Sequence, residues 1–261
     1  MANKKKPLQL RLKGRIDATE AQVDSFTLRI NDFLRRRLSK VVADVKSGTD
    51  RREAIAVLGS LQTTLEEAGL EDELKKLRKI YAKQLDFISD EFEQQGSKDV
   101  FGRTDKATVE QLITFDTEKV ATKLEGYVQD VRSVLMRGVL AGEVPDFQDV
   151  HDKFGGALAS NLQTELNTMM QGFNRAVTMS KGKELGFDLF LYLGPDDSIT
   201  RPFCNGLLKK DPAIYTLDEI TSMDNDQGLD VMTYGGGYNC RHQWRPVSPE
   251  FAEELGYVSQ S

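Results

Sequence analysis

The sequence predicts an α+β chain: long N-terminal helices, as a helical bundle or an extended helical region, then a small mixed α/β C-terminal module. Three observations predict it. Apolar residues recur at steps of three and four through most of the first 185 positions, the period of one helix face. Gly48, Gly69, Gly96, Gly142 and Pro145 punctuate those stretches where helices should stop. After Gly186 the texture changes, and FDLFLYL over 187–193 is rich in aromatic and branched residues, as strands are.

The first fifteen residues carry Lys4, Lys5, Lys6, Arg11, Lys13 and Arg15 and no acid. Such a block reads as a basic flexible arm. A solvated tail is the simplest interpretation, and contact with nucleic-acid phosphate or an acidic protein surface is the functional one. From Asp17 a long helix is expected, with Val23, Phe26, Ile30, Phe33, Leu34, Leu38, Val41, Val42 and Val45 on one face. A second helix is expected over 50–68, with Ile55, Leu58, Leu61 and Leu65 inward. A third places Leu70, Leu74, Leu77, Tyr81, Leu85, Ile88 and Phe92 on one face. The stretch 96–105 reads as a loop. Further helices are expected over 116–140 and 157–185, the latter with Leu158, Leu162, Leu166, Met169, Phe173 and Val177 inward. Methionines at helical spacing read as core filler before they read as a ligand groove.

Beyond the strand, GPDDS reads as a turn whose aspartates can bond nearby amides. Thr216 followed by Glu219 has capping-box spacing. GGGY is a permissive turn, and CRHQWRPV a short closing strand. The chain thus divides into the arm over 1–15, a helical domain over 16–155 and an α+β domain over 156–261. The last helix falls in the α+β domain because no linker separates it from the strand.

Composition limits the function classes. The chain is 39% hydrophobic and 29% charged with a net charge of −6, which suits a folded domain and not a basic nucleic-acid coat. No run of 18 apolar residues is present, so no membrane span is expected, and the basic N-terminus lacks a signal peptide's apolar stretch. A cytosolic setting is expected. Two cysteines are too few for a disulfide framework. No helix-turn-helix signature supports a DNA-binding regulator.

The scarcest residues crowd into GGGYNCRHQWRP: Cys240, His242 and the only tryptophan, Trp244. Cys240 and His242 are two apart, so on a strand both point to one face. Cys204 lies in TRPFCNG. Three readings stay open. The thiolates and imidazole, with Asp196 or Asp197 as a fourth ligand, suit zinc, although structural zinc sites usually carry paired ligands on both sides. Cys204 as nucleophile with His242 as base would be a catalytic pair, but no oxyanion loop is recognisable. Plain packing asks least: buried cysteines, Arg241 and His242 bonding the Asp196–Asp197 turn, and Trp244 beneath. His151 reads as an exposed helix residue.

The order of these motifs resembles a known family. A long helix carries Arg175. A strand ends in Tyr192-Leu193-Gly194-Pro195-Asp196-Asp197, and Thr200-Arg201-Pro202-Phe203-Cys204 follows. Tyr215-Thr216 precedes Glu219-Ile220. Gly236-Gly237, Asn239-Cys240-Arg241-His242 and Trp244-Arg245-Pro246-Val247 close the series. Over roughly 160–250 this resembles the C-terminal domain of the phage Mu F-like head morphogenesis proteins, the minor capsid or minor head proteins of tailed bacteriophages. The resemblance implies a viral structural protein, present in several copies per virion. It would associate with the portal protein and/or major capsid protein and assist head assembly and DNA packaging or ejection. The implied location is the phage head, assembled in the bacterial host cytoplasm, with the arm as a contact for packaged DNA. It also implies a metal or structural role for Cys204, Cys240 and His242, and motif roles for Arg201, Arg241 and Trp244. Some relatives carry toxin or enzyme domains after this module. This sequence stops at Ser261, soon after the motif, so such an extension is not expected. The alternative to this non-enzymatic reading is a metal-dependent hydrolase or a cysteine-type processing enzyme using Cys204 and His242.

Overall fold

The computed structural model describes the backbone of residues 2–48, 50–94 and 101–258, and their side chains except those of 2–9, 94, 103, 104, 154 and 157. Six helices come first among the described residues: α1 (Ala2–Ser47), α2 (Arg51–Gly59), α3 (Leu61–Glu67), α4 (Leu70–Gln94), α5 (Arg103–Ala141) and α6 (Phe147–Glu184). Then come β1 (Leu189–Leu193), α7 (Pro202–Leu208), β2 (Ile214–Thr216), α8 (Leu217–Thr221), α9 (Val231–Tyr234), β3 (Gln243–Val247) and α10 (Pro249–Glu254). The class is α+β. No helix of the described residues is long and apolar enough to cross a membrane.

The chain forms two compact units, and neither is a single stretch of sequence. One combines 22–81 with 111–166; the other combines 1–21, 82–110 and 167–261. The expected division at 155–156 therefore does not describe the packing: α1, α4, α5 and α6 each supply residues to both units.

In the 22–81/111–166 unit the apolar stripes form the core. Val23, Phe26, Ile30, Leu34 and Leu38 of α1 are buried, as are Leu58 and Leu61 of α2 and α3, Leu77 of α4, and Val120, Leu124, Val131 and Leu135 of α5. The expected helix over 50–68 is broken at Ser60, which leaves helical geometry (φ −92°, ψ 5°) and joins α2 to α3. Asp50 caps α2 by accepting from the amides of Arg52 and Glu53. Tyr81 donates to Asp116 at 2.8 Å inside this unit. Burial is the main cause that raises the pKa of both groups.

The other unit is built on a three-stranded antiparallel sheet of order β2-β1-β3. Phe190 pairs with Tyr215 and Pro246, and Tyr192 pairs with Trp244. These residues make one face, packed with Met179 of α6. Leu191, Leu193, Ile214 and Val247 make the other, packed with Ala252 and Leu255 at the C-terminal end and with Leu12 and Ile16 of α1. A central strand buried on both faces needs continuous rather than alternating apolar residues, which explains the run FLYL.

That second face corrects the reading of the N-terminus. The backbone is helical from Ala2, and Leu12 and Ile16, one helical turn apart, belong to the sheet's core. Arg15 is not a free arm cation. It pairs with Glu91, lies over Phe87 with its Cζ 5.1 Å from the ring centroid, and has its pKa lowered to about 10 by burial. Arg11 and Lys13 are on the exposed side of α1. The side chains of Lys4, Lys5 and Lys6 lie outside the described residues.

Other boundaries also shift. α5 begins at Arg103 rather than near 116, because Val109 and Ile113 already bury an inward stripe. α6 begins at Phe147 rather than 157, with Val150 buried and His151 half-buried against Phe147. β2 falls where only a helical turn was expected; the expected capping box of Thr216 and Glu219 follows it and starts α8.

Candidate functional site

The rare residues meet in the sheet unit, and local chemistry explains how. After β1, Asp197 and Thr200 close the GPDD turn. Thr200 Oγ1 donates to the Pro195 carbonyl at 3.0 Å, and the Asp197 amide donates to Thr200 Oγ1 at 3.0 Å. Arg201, extended, leads into α7, where Pro202 fixes the first helical position. This turns Cys204 inward. From the other side, α9 ends at Gly235, and the chain crosses Gly236 and Gly237 before running extended from Cys240 into β3. On that extended segment Cys240, His242 and Trp244 alternate inward, as their spacing predicts.

Cys204, Cys240 and His242 form the one cluster of at least three Cys, His, Asp or Glu suited to a metal among the described residues. Their ligand atoms all lie within 4.8 Å of one another. The two Sγ atoms are 3.8 Å apart, and Cys240 Sγ is 3.8 Å from His242 Nδ1. The three residues are 1%, 2% and 3% exposed. Tyr192 Oη donates to Cys204 Sγ at 3.3 Å, and the Gly236 amide donates to Cys240 Sγ at 3.1 Å. The Tyr192 ring stacks on His242 with centroids 5.2 Å apart and sits 4.3 Å from Trp244. Trp244 is fully buried and donates from Nε1 to the Val231 carbonyl.

Two close backbone passages make the cluster possible. Gly235 has φ +57°, and a Cβ there would sit 2.8 Å from Cys240 Sγ. A Cβ on Gly236 would sit 2.4 Å from Cys204 Sγ. The glycine run is what lets the main chain cover both sulfurs.

Arg175 of α6 supplies the local charge. It is 0% exposed, and its guanidinium donates to the carbonyls of Thr233 (2.6 Å), Cys240 (3.2 Å) and His242 (2.5 Å). The hydrogen bond with Cys240, together with burial, pushes the Cys204 thiol well up. The hydrogen bond from Cys204, against an opposing desolvation, followed by that of His242 and the Arg175 charge, holds Cys240 well below the usual thiol range.

The structure places the remaining expected residues around this core. Arg241 binds Asp197 through two bonds of 2.6 and 2.8 Å, as the packing reading anticipates, whereas His242, expected to bond the same turn, faces Cys240 instead. Asp197 is therefore not a fourth ligand: its carboxylate is engaged at the surface, where Arg241 holds its pKa below the usual value. Arg201 ties α7 to the glycine turn through the carbonyls of Gly236 (3.2 Å) and Tyr238 (2.5 Å). Sequence reasoning did not assign Thr233, or Tyr192 as a sulfur donor. The available signal was Arg175 itself, a cation lying between Phe173 and Val177 on a helix whose neighbouring positions are apolar. No protein-family model, curated protein or solved structure matches the chain.

Proposed function

We propose that this chain is a non-enzymatic structural protein of tailed-phage heads, of the Mu F-like class, acting with the portal protein and/or the major capsid protein. The observation that carries the reading is that motifs scattered from Arg175 to Val247 fasten one another. Arg175 holds the backbone of Cys240 and His242, Arg241 holds the GPDD turn, and Arg201 holds the glycine turn. Residues whose order resembles that family thus form one locked module, as a shared structural domain requires. The helices would supply the partner surface. Contact with packaged DNA would fall to Lys4, Lys5 and Lys6 and to the exposed Arg11 and Lys13.

The enzymatic alternative draws on the Cys240–His242 approach of 3.8 Å. Burial counts against it. A nucleophile must meet a substrate, and neither sulfur nor imidazole reaches the surface. Mass spectrometry and immunolabelling of density-purified particles from the encoding phage test the proposal. The chain is expected in proheads and virions, in several copies, labelled at the portal vertex. Its absence from both kinds of particle would overturn the reading.

A further inference from the structure

We propose that Cys204, Cys240 and His242 bind a zinc ion that fastens α7 to the segment leading into β3. The geometry is the first reason. Zinc–sulfur bonds of about 2.3 Å at tetrahedral angles put two thiolates about 3.8 Å apart, and a thiolate and an imidazole nitrogen about 3.6 Å apart. The observed edges are 3.8 Å for Sγ to Sγ and 3.8 Å for Sγ to Nδ1. Two edges thus match a zinc tetrahedron, and the third ligand pair, Cys204 and His242, lies within 4.8 Å.

The surroundings of the sulfurs are the second reason. A neutral thiol is a weak acceptor, yet each sulfur here receives a buried donor: the Tyr192 hydroxyl on Cys204 and the Gly236 amide on Cys240. Outer-shell donors of this kind orient and stabilise metal thiolates. The donor set of two sulfurs and one imidazole selects zinc over magnesium or calcium, which take oxygen. Zinc takes the cysteines as thiolates and the imidazole neutral, so each thiol proton present on the pair leaves to solvent as the metal binds. No Asp or Glu of the described residues joins the cluster, so the chain supplies three ligands.

The inference does not depend on the head-assembly reading, because a chain missing from particles can still hold zinc. The test uses the full chain, purified under reducing conditions without chelator. Elemental analysis should find about one zinc per chain. After chelation, adding Co²⁺ to the folded wild type should produce the intense thiolate-to-cobalt absorption band, with d–d bands reporting four-coordination. Cys204→Ser and Cys240→Ser should lose stoichiometric binding, and His242→Ala should weaken it at least tenfold. Asp197→Asn should bind normally. If a cysteine variant does not fold, the wild-type cobalt titration still decides. Metal at blank level with no cobalt band would overturn the proposal, whether the thiols then prove free or joined as a disulfide.

Discussion

The two units bury different chemistry. The unit of 22–81 and 111–166 fills its interior with valine, leucine, isoleucine and phenylalanine, and Asp116, Thr27 and Thr117 are its buried polar exceptions. The sheet unit buries Gln84, Gln171, Asn174, Arg175, Asn225, His242 and Gln243 among its apolar residues. Asn174 bonds Gln84 and Gln243 bonds Gln171, and half-buried Glu91 pairs with both Arg15 and Arg245. An apolar core accepts many arrangements of similar volume, whereas a polar interior favours those that pair its donors and acceptors. The sheet unit accordingly rests on bonds between named groups, those of Arg175 to three carbonyls above all, as well as on volume. That is where a metal or a partner-defining surface can be held in register.

The sharpest way to break this contrast is Arg175→Met. It keeps much of the volume but leaves the carbonyls of Thr233, Cys240 and His242 without the guanidinium. Unpaired buried acceptors lose about 1–3 kcal/mol each, so a loss of at least about 3 kcal/mol is expected. Trp244 is the only tryptophan and lies in the sheet unit, so its fluorescence follows that unit alone during urea unfolding. The fluorescence midpoint should fall more than the helical circular-dichroism midpoint. Arg175→Lys should not rescue it, because a single ammonium cannot reproduce the planar fork. Equal stability of Arg175→Met and wild type would remove the polar-interior account.

The converse substitution is Leu124→Ala in the helical unit. Leu124 is 0% exposed, and such truncations lose about 2–5 kcal/mol through lost transfer energy and the cavity left behind. Here the circular-dichroism midpoint should drop first, with the Trp244 signal following. If the two probes fall together in both variants, the units unfold as one, and the contrast is one of composition and not of stability.

How legible this was in the sequence follows the same division. The aliphatic stripes of 22–81 and 111–166 read directly, since period alone identifies a helix face. The sheet unit was legible only in parts. β1, the capping box at Thr216 and the inward alternation of Cys240, His242 and Trp244 follow from local pattern. The role of Leu12 and Ile16 does not, because their partners Leu191, Leu193 and Ile214 are some 175 or more positions away and a lysine-rich context suggested solvent. The meeting of Cys204 with Cys240 was open for the same reason: spacing along one strand predicts a face, while contact between segments is set by packing. Asp197 stayed open between zinc and Arg241 because a carboxylate suits either one, and only the folded chain decides which it faces.

The smallest expected effect sharpens the contrast by testing its exception. Asp116 is a buried carboxyl in the apolar unit, hydrogen-bonded by Tyr81, and burial raises its pKa above the ordinary 3.8. For an acid whose folded pKa is raised, the folded state holds the proton more tightly than the unfolded state. This group's contribution to stability is therefore greatest below the unfolded value. It declines as pH rises from about 3.8 through the higher folded value, and stays lower above it. Asp116→Asn keeps an acceptor for the Tyr81 hydroxyl and removes the ionisation. At neutral pH it should be as stable as wild type or slightly more so, within about 1 kcal/mol. The step in stability between acidic and neutral pH should flatten. Urea unfolding of both proteins across that range checks the sign. A variant that loses stability at neutral pH and keeps the step would mean that the charged carboxylate stabilises the unit, and that polar burial governs both halves of the molecule.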